Sequence, residues 1–171
     1  MTKYSQTVWL LIGLPGSGKS TWAKQKVKEN IGKILIVSRD AIRLMLNGKY
    51  YFDYKLEPVV ADISSDALNE CLKQSFDIII DETNLTKKTR LKWLNIIYEY
   101  EAEFSAKVEI IYIHFVETEN NVNRRMKDPK GINEDTWREI IEKMEEDYQP
   151  ISHDEKYSKL IKINKNGEII N

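Results

Sequence analysis

The stretch Gly13-Leu14-Pro15-Gly16-Ser17-Gly18-Lys19-Ser20-Thr21 constrains the fold of this chain more than any other feature. Its first eight residues match G-x-x-x-x-G-K-[ST] in full. They follow the unbroken apolar run 8–12 and open a segment with helical spacing. A strand, a glycine loop and a helix in that order make a cradle for phosphate. Glycines admit positive φ and place no side chain in the way, so successive backbone N–H groups curl around an anion. The helix N-terminus behind them adds its positive dipole end. Lys19 is placed to reach the β- and γ-phosphates, the Ser20 hydroxyl to ligate Mg²⁺, and Thr21 to touch the α-phosphate. Gly13, Pro15, Gly16, Ser17, Gly18, Lys19, Ser20 and Thr21 are therefore expected to hold ATP, with Lys19 also supporting the charge of a transferred group.

The remaining segments alternate in type. Continuous apolar runs at 8–12, 34–37, 78–80 and 108–116 read as strands buried on both faces. Helical patterns fall at 19–30, 40–46, 59–72, from a Thr86 cap onward, at 118–127, and from an Asn133 cap onward. On the third of these, Val59, Val60, Ile63, Ala67, Leu68, Cys71 and Leu72 share a face. The segments 160–164 and 168–170, around a turn at 165–167, read as a terminal strand or hairpin. Strands alternating with helices predict an α/β domain over 1–171. It would have a central parallel sheet of about four to five strands, helices on both faces, and a ligand at the carboxyl ends of the strands. A small helical lid is expected at about 118–132.

A metal-holding carboxylate should end a strand beside the loop, and Asp81 stands there. Glu82 after it reads either as a group that activates a nucleophile or as a solvated loop acid. The second strand runs into Ser38-Arg39-Asp40-Ala41-Ile42-Arg43. Asp40 is either a simple helix N-terminal acid or a general base facing the γ-phosphate. Arg43 lies one turn on, on the same face, where it is able to pair with an acceptor phosphate. Tyr50, Tyr51, Phe52 and Tyr54 form a cluster able to stack on unpaired bases or to pack under a loop, and packing is the preferred reading. His114 and His153 form no metal-ligand pattern and read as structural.

Charge narrows the partners. Residues 1–49 hold nine Lys/Arg against two Asp/Glu, and the remainder holds 17 against 25. A basic half bearing a phosphate loop attracts polyanions, ATP first. The whole chain, with a net charge of −1, is not basic enough for a general nucleic-acid coat. No apolar run approaches the roughly 20 residues that span a bilayer, so no membrane partner is expected. Cys71 is the only cysteine, which excludes an internal disulfide and suits a cytoplasmic setting. No protein partner is inferable.

The order GLPGSGKSTW, SRDAIR, IIIDETNL and then an arginine-bearing lid resembles the polynucleotide-kinase-like family of P-loop kinases, in its bacteriophage 5′-kinase form, over about residues 7–148. The loop motif is widely shared, whereas its combination with R-D-x-x-R and D-x-T-N is specific. The resemblance implies a three-layer, adenylate-kinase-like P-loop fold and transfer of the ATP γ-phosphate to a 5′-hydroxyl of DNA or RNA. It implies Asp40 as general base and Arg43 as the contact to an acceptor phosphate. It also places Arg39, Thr83 and Asn84 on the acceptor side, Asn84 with the alternative of bracing the adjacent turn. Arg124 matches the first lid arginine. The second family position carries Asp128 here, and Arg125, Lys127 or Lys130 stands in for it. A chain of 171 residues leaves no room for an added phosphatase domain, so a stand-alone kinase is expected. Two alternatives stay open: a P-loop kinase for a nucleoside, sugar, antibiotic or nucleotide-sugar, and a non-catalytic ATP-binding regulatory module.

Overall fold

Each apolar run is too short to bury itself and finds its partners edge to edge. In the computed structural model, which describes residues 4–116, 120–164 and 166–170, they join one sheet. The elements in chain order are β1 (Gln6–Ile12), α1 (Lys19–Glu29), β2 (Ile34–Val37), α2 (Arg39–Asn47), α3 (Glu57–Lys73), β3 (Asp77–Ile80), α4 (Lys87–Phe104), β4 (Val108–Phe115), α5 (Asn121–Arg125) and α6 (Glu134–Glu146). A 3-10 turn (His153–Glu155), β5 (Lys159–Ile163) and β6 (Ile169–Ile170) follow. The strand order is β2-β3-β1-β4-β5-β6, parallel except for the antiparallel β5–β6 pair.

The three-layer expectation holds. Alternate strand residues face opposite ways. Val8, Leu10, Ile12, Ile78 and Ile80 pack with Leu68 and Leu72 of α3 and Trp93, Leu94 and Ile97 of α4. Leu11, Ile34, Ile79, Ile111 and Ile113 pack with Ala23 of α1 on the other face. Each such fully buried aliphatic side chain contributes about 1.5–3 kcal/mol. The sheet is wider than the four to five strands expected. β5 extends it beside β4, and the segment after Gly167 adds β6 antiparallel, as a hairpin. On α3 the buried stripe is Val60, Ser64, Leu68 and Leu72, and Val59 is exposed, because a four-residue step leaves position 59 at the edge of the face. Thr86 and Asn133 cap α4 and α6 through their side chains, as expected. The helix α5, in the segment expected to form the lid, is shorter than the expected 118–127. Thr118 and Lys165 lie outside the described residues.

One buried polar network ties the C-terminal part to this frame. Arg90 donates from Nε and Nη2 to Glu155 (2.7 and 2.8 Å) and from Nη1 to the carbonyls of Asn84 and Leu85. The Tyr112 hydroxyl donates to the same carboxylate at 3.1 Å. Both partners of the ion pair are fully buried. Arg90→Leu leaves the Glu155 carboxylate buried without its cation, so urea denaturation should show a loss of about 3–5 kcal/mol. A change within experimental error would mean that the pair only replaces hydration.

His114 stacks on Tyr148, with ring centroids 5.6 Å apart, and burial lowers its pKa to about 4. It is structural, as expected. Among the described residues no helix is long and apolar enough to cross a membrane.

Candidate active site

β1 lies between β3 and β4, so the glycine loop leaves the sheet beside the end of β3. That topology puts Asp81 next to the first turn of α1. The Ser20 hydroxyl stands close enough to the Asp81 carboxylate to favour its charged form. Burial raises the pKa of Asp81, opposed by Ser20 and by Lys19. A hydroxyl and a carboxylate are hard oxygen donors, the set that Mg²⁺ takes from a protein while drawing its other ligands from water and phosphate. The residues therefore fit the metal expected from the sequence.

Lys19 is 7% exposed. Its ammonium donates to the carbonyls of Gly13 (2.8 Å) and Leu14 (2.7 Å). Burial lowers its pKa to about 8, and the charges of Asp81 and Asp40 oppose that shift. Gly13 donates from its N–H to the Thr83 carbonyl at 3.0 Å, which fastens the loop to the turn after β3. Gly18 caps α1 in the left-handed region. Ser20 and Thr21 follow it, exposed on the first turn.

Gly16 serves the lid as well as the phosphate cradle. It has φ +79°, and a Cβ there would lie 2.3 Å from the Asn121 carbonyl oxygen at the start of α5. Arg124 donates from Nε to the Gly16 carbonyl at 2.8 Å and also hydrogen-bonds Asn121. Gly16→Ala must push α5 off the loop, at about 1–3 kcal/mol. A lower denaturation midpoint is the expected reading, and an unchanged one would mean that the lid does not rest on the loop in solution.

Asp40 stands in the first turn of α2, beyond β3 from the loop. It accepts from Arg43 Nη1 at 2.7 Å through one oxygen and from Lys130 through the other. Its charge is felt at both Lys19 and Asp81. The structure thus gathers the loop, Ser20 with Asp81, and the acid of α2 in one place. Arg43 departs from expectation. The residue is 8% exposed, and its guanidinium forks onto Glu57, Nε and Nη2 each donating at 2.8 Å. It pairs with Glu57 at the start of α3 and with Asp40 on its own helix, partners the sequence did not point to.

Other acceptor-side expectations also change. Asn84 is 2% exposed and satisfied inside the protein. Its amide N–H donates to the Leu11 carbonyl (2.8 Å), and its oxygen accepts from Trp93 (3.1 Å). It ties the turn after β3 to β1 and α4, in line with the bracing role the sequence had left open beside substrate binding. Thr83 remains half-buried at the loop. Glu82 is not a solvated acid: it lies 3.2 Å from Arg39, with 13% of its side chain exposed, and burial pushes its pKa up to about 7. Arg39 is held there and lies 5.8 Å from the Trp93 ring.

In the lid, Val122 and Met126 pack inward with Leu14, Trp137 and Ile141, as their one-turn spacing implies. Arg125 sits 4.3 Å over the Trp137 ring, and its charge reaches Lys19. Lys127 is exposed. Lys130, at φ +53°, reaches Asp40 and lies 4.7 Å over Tyr50. The basic groups that enter the site are therefore Arg124, Arg125 and Lys130. Glu57 was invisible to sequence reasoning. Its only signal is its place before Pro58 at a helix start, which suits a helix acid as well as an arginine clamp.

The family model described as AAA domain matches residues 8–151. Among solved structures, a chain of the Pnkp1/Rnl/Hen1 RNA repair complex superposes with a TM-score of 0.62 at 24% identity, over 88% of this chain and 49% of that one. A fungal RNA kinase gives 0.66 at 14% identity, over 95% and 77%. A gluconokinase from Sinorhizobium meliloti 1021 gives 0.53 at 14% identity, over 95% and 84%. The chain spans less than half the length of the repair-complex chains it matches. At these identities the likeness is one of fold.

Proposed function

We propose, on the premise that the chain belongs to the AAA domain family and has its P-loop kinase fold, that it transfers the γ-phosphoryl group of ATP to the 5′-hydroxyl of a nucleic-acid strand. The observation that carries this reading is the place of Asp40. A carboxylate held by Arg43 from one side and Lys130 from the other stands across from Lys19 and Asp81. Holding a nucleotide requires none of that arrangement, whereas activating an acceptor hydroxyl does.

The chain's own groups divide the work. The loop N–H groups and Lys19 hold the donor phosphates. Asp40 takes the proton as the acceptor O–H bond breaks and the new O–P bond forms, while the bond from the γ-phosphorus to the ADP oxygen opens. Arg124 and Arg125 close over the transferring group and offset its charge. Glu57 holds Arg43, and Arg43 aims Asp40. Mg²⁺ held by Ser20 and Asp81 would supply charge neutralisation between the phosphates. Two of the similar structures are of an RNA repair complex and an RNA kinase, which supports a nucleic-acid acceptor.

The test is a transfer assay with γ-labelled ATP, Mg²⁺ and a panel of 5′-hydroxyl oligonucleotides, nucleosides and sugars including gluconate. Label on oligonucleotides alone is the expected outcome. Label on a small molecule alone would move the assignment to that acceptor. Bound ATP with no transfer to anything would leave a regulatory module.

A further inference from the structure

The aromatic segment after α2 has no part in the chemistry above. α2 ends at Gly48 in the left-handed conformation (φ +68°), and α3 starts at Glu57. The loop between them was expected to pack its rings beneath itself. Only Tyr50 does so in part. Tyr51 is 48% exposed, Phe52 45% and Tyr54 83%. Rings of this size gain strongly from burial, so three together in water form a surface ready for a partner.

Their place identifies that partner. The Arg43 guanidinium donates to Asp40 and lies 5.5 Å from the Phe52 ring. Phe52 in turn meets Tyr54 edge-on, with centroids 5.1 Å apart. Phe52 and Tyr54 therefore run outward from Asp40, starting one guanidinium away from it, and Tyr51 is exposed beside Phe52 in the chain. Lys49 and Lys55 flank them, both exposed. A molecule with its hydroxyl at Asp40 is led across flat apolar faces set among cations. An unpaired nucleic-acid strand has that make-up, with a π face on every base and a phosphate at every step. A duplex keeps its base faces stacked inside. A small polyol acid has no ring to lay on them.

We infer that Tyr51, Phe52 and Tyr54 form a stacking platform for the first unpaired bases of the acceptor, and that the platform makes the protein select single-stranded 5′ ends over blunt duplex ends. The inference rests on the nucleic-acid reading above and assigns the strand's path. The variant Y51S/F52S/Y54S tests it, since all three side chains are exposed. Its circular dichroism and melting profile provide the folding control, and the single variant Y54S, at the most exposed ring, stands in if the triple variant melts early.

Two readouts are taken on parent and variant. One is fluorescence quenching of 2-aminopurine placed near the 5′ end of a single-stranded oligonucleotide. The other is the KM against kcat split for the same strand and for a blunt duplex. The parent should quench the probe and the variant should not. The single-strand KM should rise by about tenfold or more, well beyond any change in kcat, and the preference over duplex should shrink. Equal quenching and equal KM in parent and variant would overturn the platform. If the parent labels no oligonucleotide, the kinase reading fails separately. Quenching then still decides the platform: its loss in the variant upholds a strand-binding surface, and its absence in the parent sinks it.

Discussion

Asp40→Asn is expected to abolish transfer while leaving ATP in place. Asparagine keeps the shape of aspartate and one oxygen that accepts from Arg43 Nη1, so α2 and its clamp on Glu57 survive. What it lacks is a basic oxygen for the acceptor proton. General-base groups contribute about 100- to 10,000-fold, and kcat should fall by that factor with the acceptor identified by the panel. ATP affinity, measured by calorimetry, should change far less than kcat, since Asp40 hydrogen-bonds Arg43 and Lys130 and none of the loop groups that hold the donor phosphates. Equal transfer rates in variant and parent would remove Asp40 as the base and leave it the helix acid that its position also explains.

Lys19→Met is the second large effect, through electrostatics instead of proton transfer. The ammonium is the buried charge aimed along the loop, and loss of one such group costs about 100- to 1,000-fold in kcat. Its titration supplies an independent check. Burial sets its pKa at about 8, below the 10.5 of an exposed lysine. Across the window from about 8 to 10.5 the unfolded chain therefore binds more protons than the folded one, and folding stability rises with pH through this group. A phosphate arriving beside it favours the charged form. ATP binding at about pH 9 should then take up a proton, seen as heat that changes with the buffer's ionisation enthalpy, and binding should weaken as pH rises through about 8. Below that range Lys19 is already charged and no uptake is expected. Buffer-independent heat in the parent, or unchanged uptake in Lys19→Met, would refute the assignment.

Much of this site was legible in the chain. The glycine loop, Lys19, Ser20 and Asp81 belong to a strand-loop-helix unit and to the end of a neighbouring buried strand. Their positions follow from hydrophobic runs and the parallel sheet those runs demand. Asp40 was legible for the same reason, at the first turn after a strand. The lid was legible only in outline. Asp128 breaks the expected arginine spacing, and the group that reaches Asp40 is Lys130, carried there by the turn before Gly131.

The readings that the sequence left open or leaned the wrong way share a cause. Asn84 looks like a site residue until Leu11 and Trp93 are seen to occupy its amide. Glu82 stays open between a solvated acid and a working one until Arg39 is seen beside its buried carboxylate. The aromatic loop between α2 and α3 looks like packing until Tyr51, Phe52 and Tyr54 prove exposed.

Local spacing and hydrophobic period by themselves determined the class of fold, the phosphate loop and the carboxylates at the strand ends. All three depend on interactions within a turn or on which face of a strand is apolar. Tertiary structure alone decided who pairs with whom. It set Arg43 on Glu57, Lys130 on Asp40, Arg90 on Glu155, and the α5 backbone against Gly16. Those partners lie 14, 90, 65 and about 105 residues apart along the chain. A charged side chain chooses among all the carboxylates within its reach, and only the packed sheet and helices decide which ones are near.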